Sequence, residues 1–191
     1  MSARKSLYDA SHRFVAFALA LCSDLIDDLT IFCKETEGHL HGHPCEALVN
    51  RITVIVLNWN GERLLGVCLE ALLRQTYGNY EVILVDNGSK DSSVQLAREN
   101  FPEVRLVQLA ENKGFTGGNA AGLRVATGEY IALVNNDTRA DPGWLENLAQ
   151  PMRDDSKVGI CASKLIIEGT DCIDSAGDGM TTAGVGFNRG H

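Results

Sequence analysis

Residues 52–61 read ITVIVLNWNG, and residues 80–89 read YEVILVDNGS. Each is a short run of largely apolar, β-branched residues, and each stops abruptly at Asn, Asp or Gly. A run apolar on both of its alternating faces is what a strand covered on both sides requires. Between them, Gly61–Gln75 has helical spacing: Leu64, Leu65, Cys68, Leu69 and Leu72 share one face, while Arg63, Glu70 and Arg74 share the other. Glu70 and Arg74 are placed to pair one turn apart.

The alternation continues outward. Asp91–Asn100 reads as a helix with a cap signal in Asp91 or Ser92, and Pro102 follows it. Val104–Leu109 is the next expected strand, Thr116–Ala126 a helix ended by Gly128, and Tyr130–Val134 a further strand. Pro142 opens a helix to about Gln150, where Pro151 is expected to interrupt it. Val158–Ala162 reads as a fifth strand. Strands alternating with helices over short connections predict an α/β domain with a mostly parallel sheet and right-handed crossovers. Ligands of such sheets lie beyond the carboxyl ends of the strands, so function is to be sought after residues 57, 85, 109 and 134.

Three segments divide the 191 residues: an extension over 1–49, the alternating domain over 50–168, and a glycine-crowded tail over 169–191. In the extension, Phe14, Phe17, Ala18, Leu21, Cys22, Leu25, Leu29 and Phe32 fall at helical spacing, opposite Asp24, Asp27 and Asp28. This predicts an amphipathic helix over Phe14–Cys33, packed on its own domain or on a partner. Its acidic face argues against an anionic membrane surface. Ala18-Leu19-Ala20 faintly resembles a leader cleavage site, but the helical pattern runs past it. His39, His41, His43 and Cys45 match no standard zinc spacing and read as surface residues. The tail looks like a loop leading into a further region.

Composition narrows the partners. The net charge is -8, and no long Lys/Arg run appears. Nucleic acid, which needs clustered positive charge, is excluded as a partner. An acidic chain still binds an anionic nucleotide through backbone N–H groups, local cations or a metal. The six cysteines form no CxxC pair, and several sit among apolar residues, as expected of small core residues in a reducing compartment.

Four expected strand ends carry Asn, Asp or Gly in register: Asn58-Trp59-Asn60-Gly61, Asp86-Asn87-Gly88-Ser89, Asn112-Lys113-Gly114 running on to Gly117-Gly118-Asn119, and Asn135-Asn136-Asp137. Any one of these could be an ordinary turn, helix cap or Asx turn. Four at one sheet edge point to a ligand site. A carboxylate at Asp86 suits a base N–H or a ribose hydroxyl. Gly114, Gly117 and Gly118 permit close backbone approach at a helix start. Asp137 with a diphosphate would make a Mg or Mn site, because these hard ions take oxygen ligands. No GxGxxG follows the first strand, so a dinucleotide-dependent dehydrogenase is disfavoured.

Together these blocks resemble the family 2 glycosyltransferases, in the branch that includes rhamnosyltransferases. The likeness runs from about Ile52 to Gly179 and rests on the order and spacing of ITVIVLNWNG, YEVILVDNGSKDSS, NKGFTGGNAAG, GEYIALVNNDT and PGWLENL. It implies a GT-A, Rossmann-like fold and a UDP- or dTDP-sugar donor. It further implies that Asp86 contacts the base and Asn58 lines the base pocket. Asn112, Lys113 and Gly114 would border the nucleoside, and Asn119 would begin the next helix. Asn135-Asn136-Asp137 stands where the family carries Asp-x-Asp, making Asp137 the ligand of Mg or Mn and Asn136 a neighbour of the ribose or phosphates.

The chain departs from that pattern in two respects. Asn135 replaces the first acid, which weakens the metal site. A full member also continues into an acceptor half with an acidic base, and no convincing base stands among Asp171, Asp174 and Asp178. No catalytic residue is therefore assigned. The expectation is an inverting, metal-assisted transfer to a carbohydrate or lipid-linked acceptor, in cell-wall or polysaccharide biosynthesis. The setting would be cytoplasmic, at or near the inner membrane face, with the chain apparently truncated. The alternative is a non-catalytic nucleotide-sugar-binding or partner-docking module, completed by a second copy or another chain.

Overall fold

The computed structural model describes residues 13–18, 50–180 and 186–188. The central sheet has five strands, all parallel, in the order β1-β5-β2-β3-β4. They are β1 (Arg13–Ala18), β2 (Ile52–Asn58), β3 (Tyr80–Asp86), β4 (Arg105–Gln108) and β5 (Tyr130–Asn135). Among the described residues four helices connect or flank them: α1 (Glu62–Leu73), α2 (Ser93–Asn100), α3 (Gly114–Leu123) and α4 (Trp144–Asp154).

The apolar runs of β2 and β3 divide by parity. Ile52, Val54 and Val56 join Val82 and Leu84 on one face, under Leu65, Cys68, Leu69 and Leu72 of α1 and Leu145, Leu148, Ala149 and Met152 of α4. Ile55, Ile83, Val85 and Ile131 point to the other face, under α3. Helices on both faces explain why these strands lack polar alternation.

The path of the chain sets the site. From β2 it winds through α1, β3, α2 and β4 in one direction. It then returns through α3 to place β5 on the other side of β2. Strand order therefore reverses between β2 and β5, and it is beyond the carboxyl ends of the strands at such a switch point that open α/β sheets form their ligand crevice.

Four expectations need correction. The helix expected from Phe14 is a strand over Arg13–Ala18, paired with β5; the rest of that stretch, and the His39–Cys45 group, lie outside the described residues. Phe14, Val15 and Phe17 suit a strand as well as a helix, and the free edge of β5 supplies backbone partners that an isolated helix does not need. No strand forms over Val158–Ala162, where Ile160 is 64% exposed. Pro151 does not end α4. The buried Leu145, Leu148, Ala149 and Met152 hold the helix on both sides of it, and the Pro151 carbonyl accepts the Asp155 N–H at 3.1 Å.

The tail expected as loop contains β7 (Ile173–Ser175), paired antiparallel with β6 (Leu165–Ile166), and β8 (Asp178–Met180), paired with β9 (Gly186–Asn188). The β6–β7 ladder therefore spans the boundary expected at 168/169. Among the described residues no helix is long and apolar enough to cross a membrane.

Candidate functional site

Asn58, the last residue of β2, lies in register with Asp86, the last residue of β3. It is fully buried, and its amide is the meeting point of three loops. Asn58 Nδ2 donates to Asp86 Oδ1 and to Ser89 Oγ, each at 3.2 Å. Asn58 Oδ1 accepts from Asn136 Nδ2 at 2.7 Å. Every polar atom of this buried side chain is satisfied, as a buried amide requires. The bond to Asn136 crosses the β2–β5 crevice.

Asp86 is 1% exposed. Its second oxygen accepts the Ser89 N–H at 3.1 Å, closing the turn after β3. The carboxylate expected to face a base is thus turned inward, onto Asn58 and its own loop.

Asn87, which the sequence reading did not single out, organises the neighbouring loop. It is 2% exposed. Its Nδ2 donates to Asn112 Oδ1 at 2.9 Å and to the Gly114 carbonyl at 3.1 Å, while its Oδ1 accepts the Lys113 N–H at 2.8 Å. Asn112 Oδ1 also accepts the Gly114 N–H at 2.7 Å. Asn112, Lys113 and Gly114 are therefore brought together with the β3 end, as expected. The Lys113 ammonium pairs with Glu111. Gly88 makes this approach possible. It has φ +74°, and a Cβ there would stand 2.7 Å from the Glu111 carbonyl carbon.

α3 begins earlier than the sequence reading put it, at Gly114. Asn119 is accordingly inside the helix rather than at its start. It is buried, and its Nδ2 donates to the Phe115 carbonyl at 3.0 Å. Gly118 and Gly122 face the sheet: a Cβ on Gly118 would meet Leu57 Cδ1 at 2.3 Å, and one on Gly122 would meet Ile55 Cγ2 at 2.6 Å. Gly118, read from sequence as a ligand-approach residue, serves helix–sheet packing instead.

At the end of β5, Asn135 is held through its backbone. Its carbonyl accepts the Thr138 N–H at 3.2 Å and the Cys68 thiol at 3.6 Å. Burial, then the negative charge of Asp137, push that thiol up to about 12, only partly offset by the Thr138 N–H. Cys68 is thus a neutral core group, and neither a nucleophile nor a thiolate ligand. Asp137 is exposed, and its carboxylate makes no hydrogen bond or ion pair among the described residues. No group of three His, Cys, Asp or Glu side chains gathers among them either. A single free carboxylate at a crevice fits a hard cation that takes its other oxygens from a diphosphate and water, and does not fit an all-protein cage.

The rim is a zipper between the loops after β2 and β3. Asn60 donates its N–H to Ser89 Oγ at 2.9 Å and accepts the Lys90 N–H at 2.8 Å. Glu62 donates its N–H to Asp91 Oδ2 at 3.0 Å, and Glu62 Oε2 accepts the Ser92 N–H at 3.3 Å. Slight burial pulls the Asp91 carboxyl up, but the hydrogen bonds from Ser93 and Glu62 outweigh it and leave it below the ordinary range. Trp59 projects from this rim, 57% exposed, and Lys90, which follows Ser89 in the other loop, is exposed as well. The sequence signal for both was their place inside two strand-end blocks.

The likeness to known proteins falls on this region. The chain is 36% identical over 116 residues to an Escherichia coli protein described as the uncharacterized glycosyltransferase YibD, covering 59% of this chain and 33% of that protein. It is 36% identical over 106 residues to the glycosyltransferase GlyG of Streptococcus pneumoniae, covering 54% of this chain and 35% of that protein. The chain thus spans about a third of the length of these relatives. Among solved structures, S. aureus TarS 1-349 in complex with UDP-GlcNAc superposes with a TM-score of 0.50 and 26% identity, covering 55% of this chain and 31% of that one. The family model for glycosyl transferase family 2 matches residues 53–172, from the second residue of β2 to the β6–β7 connection. That match takes in well over half of the chain and all four polar loops, and the chain belongs to glycosyl transferase family 2.

Proposed function

We propose that this chain binds a nucleotide-diphosphate sugar across the β2–β5 crevice, as the donor site of a sugar transfer. One observation carries this reading: at the topological switch point, Asn58 joins the ends of β2 and β3 to the turn that bears the free carboxylate of Asp137. The nucleoside would lie toward the loops of Asp86–Ser89 and Asn112–Gly114, with Asn58 and Asn119 buried beneath them. The exposed face of Trp59 offers a stacking surface for a base. The ribose and diphosphate would lie toward Asn136 and Asp137. TarS, a structural neighbour, holds UDP and UDP-GlcNAc, which favours a uridine over a thymidine donor.

In the transfer, the bond from the sugar's anomeric carbon to the diphosphate breaks as the acceptor oxygen attacks from the opposite side, with inversion. A Mg or Mn ion held by Asp137 would supply charge compensation for the leaving diphosphate. Asn136 would orient the same group. A carbohydrate or lipid-linked hydroxyl is the acceptor class, and the base that deprotonates it is not assigned.

Titration calorimetry of the chain with UDP, with and without Mn2+, tests the reading. Binding that needs Mn2+ and is lost in Asp137→Ala is expected. No binding by the wild-type chain, or unchanged Mn2+ dependence in Asp137→Ala, would overturn it.

A further inference from the structure

We infer that Asp86 acts on the donor indirectly, as a positioning residue that sets which way the Asn136 amide faces. This rests on the donor site proposed above.

The inference follows from hydrogen-bond polarity. A carboxylate only accepts, whereas an amide has one accepting and one donating end. Asp86 Oδ1 faces Asn58 at 3.2 Å, so Asn58 must present its Nδ2 there. Its Oδ1 is then forced to the opposite side, toward Asn136, 2.7 Å away. An oxygen in that place can be met only by the Asn136 Nδ2. The Asn136 Oδ1 is left facing away from Asn58, with no hydrogen-bond partner among the described residues, in the residue next to Asp137.

The carboxylate is thus two amides removed from the oxygen it orients. Without it, the Asn58 amide could turn over, and the Asn136 amide would follow. At 1% exposure, with both oxygens engaged by Asn58 and the Ser89 N–H, Asp86 is better placed for this than for touching a base.

The relay has a polarity that exchange can restore. Asp86→Asn removes the obligate acceptor. Adding Asn58→Asp places a carboxylate at position 58, where it accepts from the new amide at position 86 and from Asn136 Nδ2. The Ser89 hydroxyl can turn to donate to it. Asn136 then faces as in the wild type, although position 86 carries no charge.

Two measurements on the whole chain decide the matter: the side-chain amide 15N–1H signals of Asn136 in the free protein, and calorimetric titration with UDP and Mn2+. Thermal melting of each variant accompanies both. In Asp86→Asn the Asn136 signals should move, and UDP should bind about tenfold more weakly, as loss of one oriented hydrogen bond entails. In the double variant the signals should return, with affinity within about threefold of wild type. Unmoved Asn136 signals in Asp86→Asn would overturn the inference. So would a double variant that regains the signals without regaining UDP, because Asp86 would then touch the nucleotide itself. Affinity that follows melting temperature rather than the Asn136 signals would reduce Asp86 to a structural role. Should Asp86→Asn alone not fold, the double variant decides by the same two criteria. If the wild type binds no UDP, the donor reading fails, and the amide signals still test the relay.

Discussion

A methyl group added at Gly61 would stand 1.9 Å from Asn136 Nδ2 and 2.4 Å from Asn58 Oδ1. The glycine that opens α1 therefore lies directly against the hydrogen bond that bridges the crevice. Its backbone does not require glycine, for φ is -105° and ψ 24°. The requirement is one of space alone.

Gly61→Ala should for this reason separate function from stability. Both atoms in the way are ends of flexible side chains, so the fold can absorb the methyl by parting the two amides. A loss of about 1–3 kcal/mol is expected, because the buried Asn58 Oδ1 is left without its partner, at some 2–4 °C in melting temperature per kcal/mol for a chain of this size. UDP affinity should fall about tenfold or more, because Asn136 is displaced. A melting curve and a calorimetric titration on the same sample check this. Full retention of UDP binding would mean that the Asn58–Asn136 bridge does not shape the site.

The central strands of the sheet are legible because burial on both faces leaves a local mark, the largely apolar runs ITVIVL and YEVILV. The positions of the loops follow from the alternation of strands and helices, which puts the four polar blocks at one edge of the sheet. What an amide does in such a loop is not local. Asn58, Asn87 and Asn112 look alike in sequence, yet Asn58 joins β2 to β5 while Asn87 gathers the 112–114 loop. Only the meeting of chain segments 25 to 78 residues apart decides this. The same holds for Arg13–Ala18, whose apolar spacing fits two periods and whose state is settled by the free edge of β5.

Gly122→Ala should destabilise without touching the site directly. A Cβ there would meet Ile55 Cγ2 at 2.6 Å and Val85 Cγ2 at 3.0 Å, methyls of stiff β-branched side chains on the central strands. Overpacking of this kind costs about 1–3 kcal/mol. Denaturant unfolding should show a lower midpoint with an unchanged slope. An unchanged midpoint would show that α3 can lift from the sheet freely.

Cys68 and Cys172 should differ sharply in reactivity. Cys68 is buried, and its thiol is pushed up to about 12; Cys172 is exposed. Because the thiolate is the reactive form, alkylation of the native chain near pH 8 should label Cys172 at least about a hundredfold faster. Site-resolved mass spectrometry of a time course measures this. Comparable rates would mean that α1 opens readily over the β5 end.

Glu81 should make stability pH-dependent at the opposite edge of the sheet from the site. Its burial raises its pKa. The Thr53 hydroxyl at 2.6 Å, the Thr127 hydroxyl and N–H at 2.7 and 2.8 Å, and the Arg51 guanidinium outweigh this and hold the carboxyl below its ordinary value of 4.5. A group depressed in the folded state binds its proton more readily when unfolded. Its contribution is therefore complete above the unfolded value and is lost as pH falls toward and through the lower folded value. Glu81→Gln removes the charge and gives one hydrogen-bond acceptor where there were several. It should cost about 1–3 kcal/mol near neutrality and flatten the fall in melting temperature below about pH 5. Melting curves of both proteins from pH 7 to pH 3 provide the check, and parallel curves would show that the charge of Glu81 does not hold the Thr53–Thr127 contact.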